Sequence, residues 1–304
     1  MLNPVATYRL QLHKGFTFKD LERLIPYLCQ LGIGTVYASP VMQATPGSTH
    51  GYDGIDPLLI SPEIGTEEEL RAISKLLRQH KISWLQDIVP NHMAVHPDNN
   101  WLKDVLEKGK ISEYASFFDI KWENPPFEGK LVATNEQINY RRFFTVNELI
   151  CLNIQYDEVF DTWHRYIKEL LEENVFQGLR VDHIDGLSDP TLYLTKLRAL
   201  AGQDCYIVVE KILQQHEGMP PYWRVQGNTG YDFLSMVNNL LSDPGGKELF
   251  TDFYNKLAGD TRTAQEQVAD KKRFILDHYM QGELNNLVEL YHSFGLSGGQ
   301  EADL

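Results

Sequence analysis

Cysteine is scarce in this sequence. The 304 residues hold three, Cys29, Cys151 and Cys205, far apart and with no CxxC pair. Such a set excludes a disulfide framework and argues against a structural zinc site. A reducing, cytoplasmic setting fits it best. Long apolar runs are lacking as well. Nothing approaches the roughly 18 residues of a membrane span. The opening stretch, MLNPVATYRLQLHKGF, has no apolar signal core. A soluble, intracellular chain with no membrane partner is therefore expected. Positive charge is also in short supply: 28 Lys and Arg face 42 Asp and Glu, a net charge of −14, with no basic cluster. Phosphate backbones repel such a chain, so no nucleic-acid partner is expected. A neutral substrate or a basic partner stays open. There is no internal repeat and no low-complexity segment.

What is present is alternation of short β-rich runs with helical patterns. Val5 to Leu12 reads as a strand. A helix follows, with Leu21, Leu24, Ile25, Leu28 and Leu31 on one face and a stop at Gly32. Thr35 to Ser39 is a second strand. Thr66 and Glu69 make a capping box ahead of Leu70, Ile73, Leu76 and Leu77. Ser83 to Val89 is the third strand. Alternation resumes after residue 155, with a helix near Glu158 to Glu173, a strand from Leu179 to Ile184, and a helix opened by Asp189-Pro190. Cys205 to Glu210 is a fifth strand. This βα order predicts a parallel sheet or barrel, and a (β/α)₈ barrel needs about 250 residues.

Two stretches interrupt the pattern. Residues 91–155 are too long for a connecting loop and read as an inserted subdomain after the third strand. Residues 231–304 read as a helical segment, with Leu240, Leu241, Leu249, Phe253, Leu257, Ile275 and Tyr279 at apolar positions. The expected organisation is thus a first part of a barrel, strands one to five, from 1–90 and 156–230. Five strands do not close an eight-stranded barrel, so the sheet is open or the chain is the front part of something longer.

Ionisable residues stand where three apolar runs stop: Asp87 with Asn91-His92, Arg180 with Asp182-His183, and Glu210. In α/β barrels, catalytic groups sit at these C-terminal strand ends. Arg180 and Asp182 share one side of their strand by the period of two. A neighbouring guanidinium is expected to keep the carboxylate ionised, as a nucleophile requires. Glu210 follows one βα unit later. Neighbouring parallel strands lie about 4.8 Å apart, so the two carboxyls can approach the roughly 5–5.5 Å of a retaining glycosidase pair.

These three regions resemble signature stretches of the α-amylase clan of glycoside hydrolases. The resemblance implies that Asp182 is the nucleophile and Glu210 the general acid/base. It implies that Arg180 and His92 contact the reacting sugar. It matches Tyr52 and Asp53, in HGYD, to the clan's stacking tyrosine and its neighbouring acid, and leaves Asp87 and Asn91 as structural residues beside the site. A narrower resemblance is to the maltooligosyltrehalose synthases within that clan. It runs through TYRLQL (7–12), SPVMQATPGSTHGYDGIDP (39–57), DIVPNHMAV (87–95), NYRRFFTVNEL (139–149), GLRVDHIDGL (178–187), VEKIL (209–213) and GNTGYDFL (227–234). It implies an intramolecular transglucosylation. The reducing-end α-1,4 bond of a maltooligosaccharide is exchanged for a non-reducing α,α-1,1 end by a double displacement that excludes water. A second, trehalose-releasing enzyme is the functional partner this implies. Arg141 and Arg142 are matched to the glucose at the reducing end. Trp101, Tyr114, Phe117, Phe118, Trp122, Phe127, Tyr140, Phe143 and Phe144 are offered as walls against water. Some clan members hold calcium through the asparagine matching Asn91, but no EF-hand-like acidic cluster is present, and neither a metal nor another cofactor is expected. The sequence departs from the clan in one respect: no aspartate after a histidine supplies its third acid. Asp277-His278 has the reverse order and a helical setting. Strands six to eight and that acid are expected to lie outside this chain. A hydrolase or glucanotransferase of the clan, and a non-catalytic glucan-binding fragment, are the competing readings.

Overall fold

In the computed structural model, which describes residues 3–123, 125–214 and 216–295, the βα alternation becomes a parallel sheet backed by helices. The first strand, β1 (Thr7–Leu10), leads to helix α1 (Phe18–Leu31). Gly32 ends α1 in the left-handed conformation (φ 78°), where glycine meets no Cβ penalty. Strand β2 (Thr35–Ala38) follows, then the antiparallel hairpin β3 (Met42–Ala44) and β4 (Gly54–Ile60). Helix α2 (Glu67–Gln79) starts at the reciprocal bonds between Thr66 and Glu69. Next come β5 (Ser83–Ile88), β6 (His92–Ala94), α3 (Asn100–Lys108), β7 (Arg142–Phe143) and β8 (Val146–Cys151). Then α4 (Asp157–Glu172), β9 (Gly178–Val181), α5 (Pro190–Ala201), β10 (Tyr206–Val209) and β11 (Gly227–Asn228) complete the sheet region. The Asp189 side chain caps α5 by accepting from the Leu192 N–H at 2.8 Å.

The main sheet runs β1-β2-β5-β9-β10-β11, every neighbour parallel. It is a curled half of a (β/α)₈ barrel. Helix α1 buries Phe18, Leu21, Ile25 and Leu28 against it, while Leu31 stays half exposed. Trp84 is fully buried, edge-on to Phe18 and tilted against Phe176. Burying large side chains of this kind contributes about 1.5–3 kcal/mol each.

Two readings need correction. A sixth parallel strand, β11, lies within this chain; its two residues, Gly227 and Asn228, carry no apolar run by which to find it. The fourth strand stops at Val181, not Ile184, because His183 turns into the left-handed region (φ 50°). The apolar helical positions from Leu240 to Tyr279 are 42–83% exposed.

The chain divides into two compact units. The first comprises residues up to Asp119 and Arg142–Tyr231, so it holds both ends of the 91–155 stretch. In it, β6, β8 and β7 form a small antiparallel sheet. The second comprises Ile120–Arg141 and the chain from Asp232 on. Its helices are α6 (Tyr231–Leu240, from the second residue), α7 (Lys247–Ala258), α8 (Ala264–Tyr279) and α9 (Gln281–Ser293). Gly282 lets α9 approach the backbone of Gln137 and Ile138, where an added Cβ would stand 3.1 Å away. No helix among the described residues is long and apolar enough to cross a membrane.

Candidate active site

Parallel register builds the site. Asp87 lies directly across from Arg180, and Val181 across from Val209. The ladder continues one step beyond the strands: the Asp182 N–H donates to the Ile88 carbonyl at 2.9 Å, and the Glu210 N–H to the Val181 carbonyl at 2.8 Å. Three carboxylates therefore leave three adjacent strand ends side by side.

One guanidinium joins them. Arg180 Nη1 donates to Asp87 Oδ1 at 2.9 Å and to Asp182 Oδ1 at 2.5 Å, and Nη2 lies 3.1 Å from Glu210 Oε1. Asp87 is buried and receives three further donors on Oδ2: Arg9 Nη1 at 3.0 Å, the Tyr37 hydroxyl at 3.1 Å and the Tyr52 hydroxyl at 2.6 Å. It is a fully satisfied anchor that sets the direction of Arg180. Arg9 also lies over the Tyr37 ring, 4.3 Å from its centre. Glu210 is held on its other oxygen by the His183 backbone N–H at 2.9 Å, and Oε1 accepts from the Tyr231 hydroxyl at 3.2 Å.

The electrostatics follow from burial and charge count. Burial pushes the Asp182 carboxyl up to about 7; Arg180 opposes this, and Asp87 and Glu210 add to it. Arg180 favours the ionised form as expected, but the guanidinium is shared among three acids and desolvation works against it. At Glu210 burial acts upward, yet Arg180, the His183 N–H, Tyr231 and Asp182 together bring it below its ordinary value. Three carboxylates against two guanidiniums, Arg9 and Arg180, leave one negative charge over, and one proton neutralises it. The pair titrates as a unit.

His92 is buried, and burial lowers its pKa to about 4, so the ring is neutral. Its Nδ1 accepts from the Asn91 amide at 3.1 Å, which leaves Nε2–H to donate to the Tyr52 carbonyl at 3.1 Å. The Phe143 ring lies 4.6 Å from that of His92 and 4.8 Å from that of His183, and Phe144 lies 5.1 Å from His183. Phe144 is 63% exposed and sits at φ 49°, a conformation a bulky residue rarely holds. Gly186 is required by close approach: an added Cβ would stand 2.1 Å from the His183 ring and 2.7 Å from Asn91 Oδ1.

The structure gathers Asp87, Asn91, His92, Arg180, Asp182, Glu210 and Tyr52 into connected hydrogen-bonding groups. The other named residues are placed differently. Asp53 accepts from Thr45 and Ser48 and fastens its own loop. Arg142 donates to Asn147 and to the Thr145 carbonyl within the β7–β8 hairpin. Arg141 falls in the second unit. Of the nine aromatics, Trp101, Phe117, Phe118, Phe127 and Tyr140 are buried as core rather than standing as walls. The sequence reading passed over Arg9, Tyr37 and Tyr231. Arg9 carried a signal, a cation inside an apolar strand, in register with Tyr37.

Asn91 Oδ1 is buried without a hydrogen-bond partner, but among the described residues no group of three His, Cys, Asp or Glu is placed to hold a metal.

The catalytic-domain model of the alpha-amylase family matches residues 17–233. The chain belongs to the alpha-amylase family. It is 35% identical to a putative maltooligosyl trehalose synthase of Mycobacterium tuberculosis, over 93% of this chain and 44% of that protein. The maltooligosyltrehalose synthase structure from Arthrobacter ramosus superposes with a TM-score of 0.89 at 33% identity, covering 98% of this chain and 46% of that one. A hypothetical maltooligosyl trehalose synthase of Sulfolobus tokodaii gives 0.85 at 31%, with coverage of 96% and 46%. The chain thus spans a little under half the length of these relatives. The relatives and the β-strand ends point to the same branch of the family.

Proposed function

We propose that the chain carries the catalytic pair of a maltooligosyltrehalose synthase. The observation behind this is the single Arg180 guanidinium that bridges Asp87, Asp182 and Glu210 at three neighbouring strand ends. Two carboxyls that share one guanidinium are close neighbours, which supports the roughly 5–5.5 Å spacing of a retaining pair flanking the scissile bond. The substrate is a maltooligosaccharide. Asp182 attacks the anomeric carbon of the penultimate glucosyl unit. The bond from that carbon to O4 of the terminal glucose breaks, and Glu210 gives its proton to O4. Glu210 then takes the proton of the anomeric hydroxyl of the same glucose. That oxygen attacks the glycosyl carbon and releases Asp182, leaving an α,α-1,1 end.

The pair shares one proton, and attack needs it on Glu210; a glycosidic oxygen beside Glu210 favours the protonated acid. Arg180, His92 and Tyr52 orient the reacting sugar, Asp53 shapes the Tyr52 loop, and Asp87 and Asn91 support them. Arg141 and Arg142 are assigned to the leaving glucose. Phe143 and Phe144, against His92 and His183, exclude water. No cofactor enters the scheme. A trehalose-releasing enzyme consumes the product, and both work in the cytoplasm.

Incubation with maltopentaose tests the reading. Loss of reducing ends without free glucose is expected, and Glu210→Gln is expected to lower it by roughly 10²–10⁴-fold. Release of glucose or maltose instead would place the chain with the hydrolases. The sequence contains no aspartate directly after a histidine, and Asp277-His278 lies inside α8. That observation favours a second reading, glucan binding without turnover, which retardation in a starch gel with unchanged reducing ends would support.

A further inference from the structure

Lys211 follows Glu210 directly, and its side chain is only 10% exposed. A lysine is seldom buried unless it is paired. Here it has two partners: Nζ donates to Asp185 Oδ1 at 3.0 Å and lies 2.8 Å from Glu217 Oε1. Burial acts downward on the Lys211 pKa, but Glu217 and Asp185 act upward and prevail, so the amine stays an ammonium. None of the three takes part in the proposed transfer.

The two contacts differ in what they join. Glu217 lies on the same segment as Lys211, and its Oε2 accepts from the Gln214 N–H at 2.9 Å, so that contact stays within the chain that follows β10. Asp185 belongs to the 3₁₀ turn Ile184–Gly186 that follows β9. The bond from Lys211 to Asp185 therefore ties the end of β9 to the end of β10. A second link runs beside it, the His183 N–H on Glu210 Oε2 at 2.9 Å. That N–H is presented by a backbone at φ 50°, a conformation that a residue other than glycine holds only when its surroundings enforce it. The Gly186 N–H closes the turn on the His183 carbonyl at 3.0 Å, so a shift of Asp185 carries His183 with it.

We infer that Lys211 is a positioning residue: its bond to Asp185 locks the turn after β9 against the end of β10 and so keeps the His183 N–H on Glu210. A backbone N–H on a carboxylate favours its ionised form. The other groups that face Glu210 are Arg180, Tyr231 and Asp182. With the tie cut, the turn is freed, the N–H donates less well, and Glu210 holds its proton to higher pH. The kinetic consequence rests on Glu210 being the acid/base of the proposed transfer; the placement of the His183 N–H does not.

The test uses the full chain. Nuclear magnetic resonance of protein labelled at the glutamate carboxyl carbons follows the Glu210 titration, with Glu210→Gln identifying its signal, and the His183 amide is read in the same samples. Lys211→Met and Asp185→Asn both cut the tie but change the charge in opposite senses. Position predicts that both displace the His183 amide and both raise the Glu210 midpoint, by about half a pH unit or more. Lys211→Arg, which keeps a donor for Asp185, should stay closer to the parent than Lys211→Met. Glu217→Gln leaves the tie intact and should leave the amide in place. Asp185 is 51% exposed, so its variant carries the test even where loss of the buried ammonium unfolds the chain. Midpoints that move apart, up in Lys211→Met and down in Asp185→Asn, would show a plain charge effect and overturn the inference. A His183 amide unmoved by Asp185→Asn would overturn it as well. In the maltopentaose assay, both variants should lose about tenfold in kcat with KM little changed and with the pH profile displaced upward. A parent without turnover would count against the proposed reaction, and the amide and the titration would still decide on Lys211.

Discussion

The two units of the chain use apolar side chains in opposite ways. In the first, α1 places four large apolar residues in the core and Trp84 vanishes from solvent between Phe18 and Phe176. In the second, α7 and α8 carry apolar residues too, yet bury none of them. Pattern alone is therefore no measure of burial. A helix face states what it is able to cover, and only a partner decides whether water leaves.

That contrast can be pressed experimentally, from the greatest effect to the least. Trp84→Ala should cost about 3–5 kcal/mol, because it empties a packed volume in the first unit. Urea unfolding read by circular dichroism would show the lowered midpoint, and an unchanged midpoint would mean the core is not where the structure puts it. Asp182→Asn should act with the opposite sign. Burial raises the Asp182 carboxyl from 3.8 to about 7, so between those values the native chain holds a proton that the unfolded chain releases. The stability from this uptake is complete below pH 3.8 and lost as pH rises through 7. The amide lacks that loss, so at pH 8 the variant should be more stable than its parent. Thermal melts at pH 5 and pH 8 should show the gap widening with pH; a gap that narrows refutes the buried-proton account.

Smaller effects follow. Gly186→Ala should destabilise by about 1–3 kcal/mol through overpacking against the His183 ring and Asn91. Two-dimensional NMR should show the His183 amide, which donates to Glu210, displaced in the same variant. Leu257→Ala in the second unit should change stability by no more than about 0.5 kcal/mol, since that side chain already stands in water. A cost above 2 kcal/mol there would erase the difference between the units.

Much of the first unit was legible in the sequence because one physical rule governs it throughout. Alternation of strand and helix gave five of the six sheet strands, and the caps at Thr66, Asp189 and Gly32 bounded the helices. The carboxylates were legible because ionisable groups interrupt apolar runs at a place the fold reserves for chemistry. The rest escaped for reasons of distance and neighbourhood. Tyr37 and Arg9 gain their meaning from Asp87, 50 and 78 residues away. Tyr231 belongs to an unremarkable helix start until it is seen beside Glu210. The raised Asp182 carboxyl depends on desolvation, which no linear pattern reports. β11 escaped because two residues, Gly227 and Asn228, have no pattern to read.

The pairing of Asp87 with Arg180 across β5 and β9 has a consequence for how the chain must reach its final state. A strand displaced by one position keeps most of its backbone bonds but turns every side chain to the other face. Val181 would then stand where a carboxylate is needed, and Arg180 would point away from Asp87 and Glu210. Such a molecule has nearly native secondary structure and no chemistry. Asp87 penalises that displaced arrangement, because the buried carboxylate would lose Arg180 and the guanidinium would lose its anchor. The group that never touches a reacting atom thus acts as a proofreader of assembly.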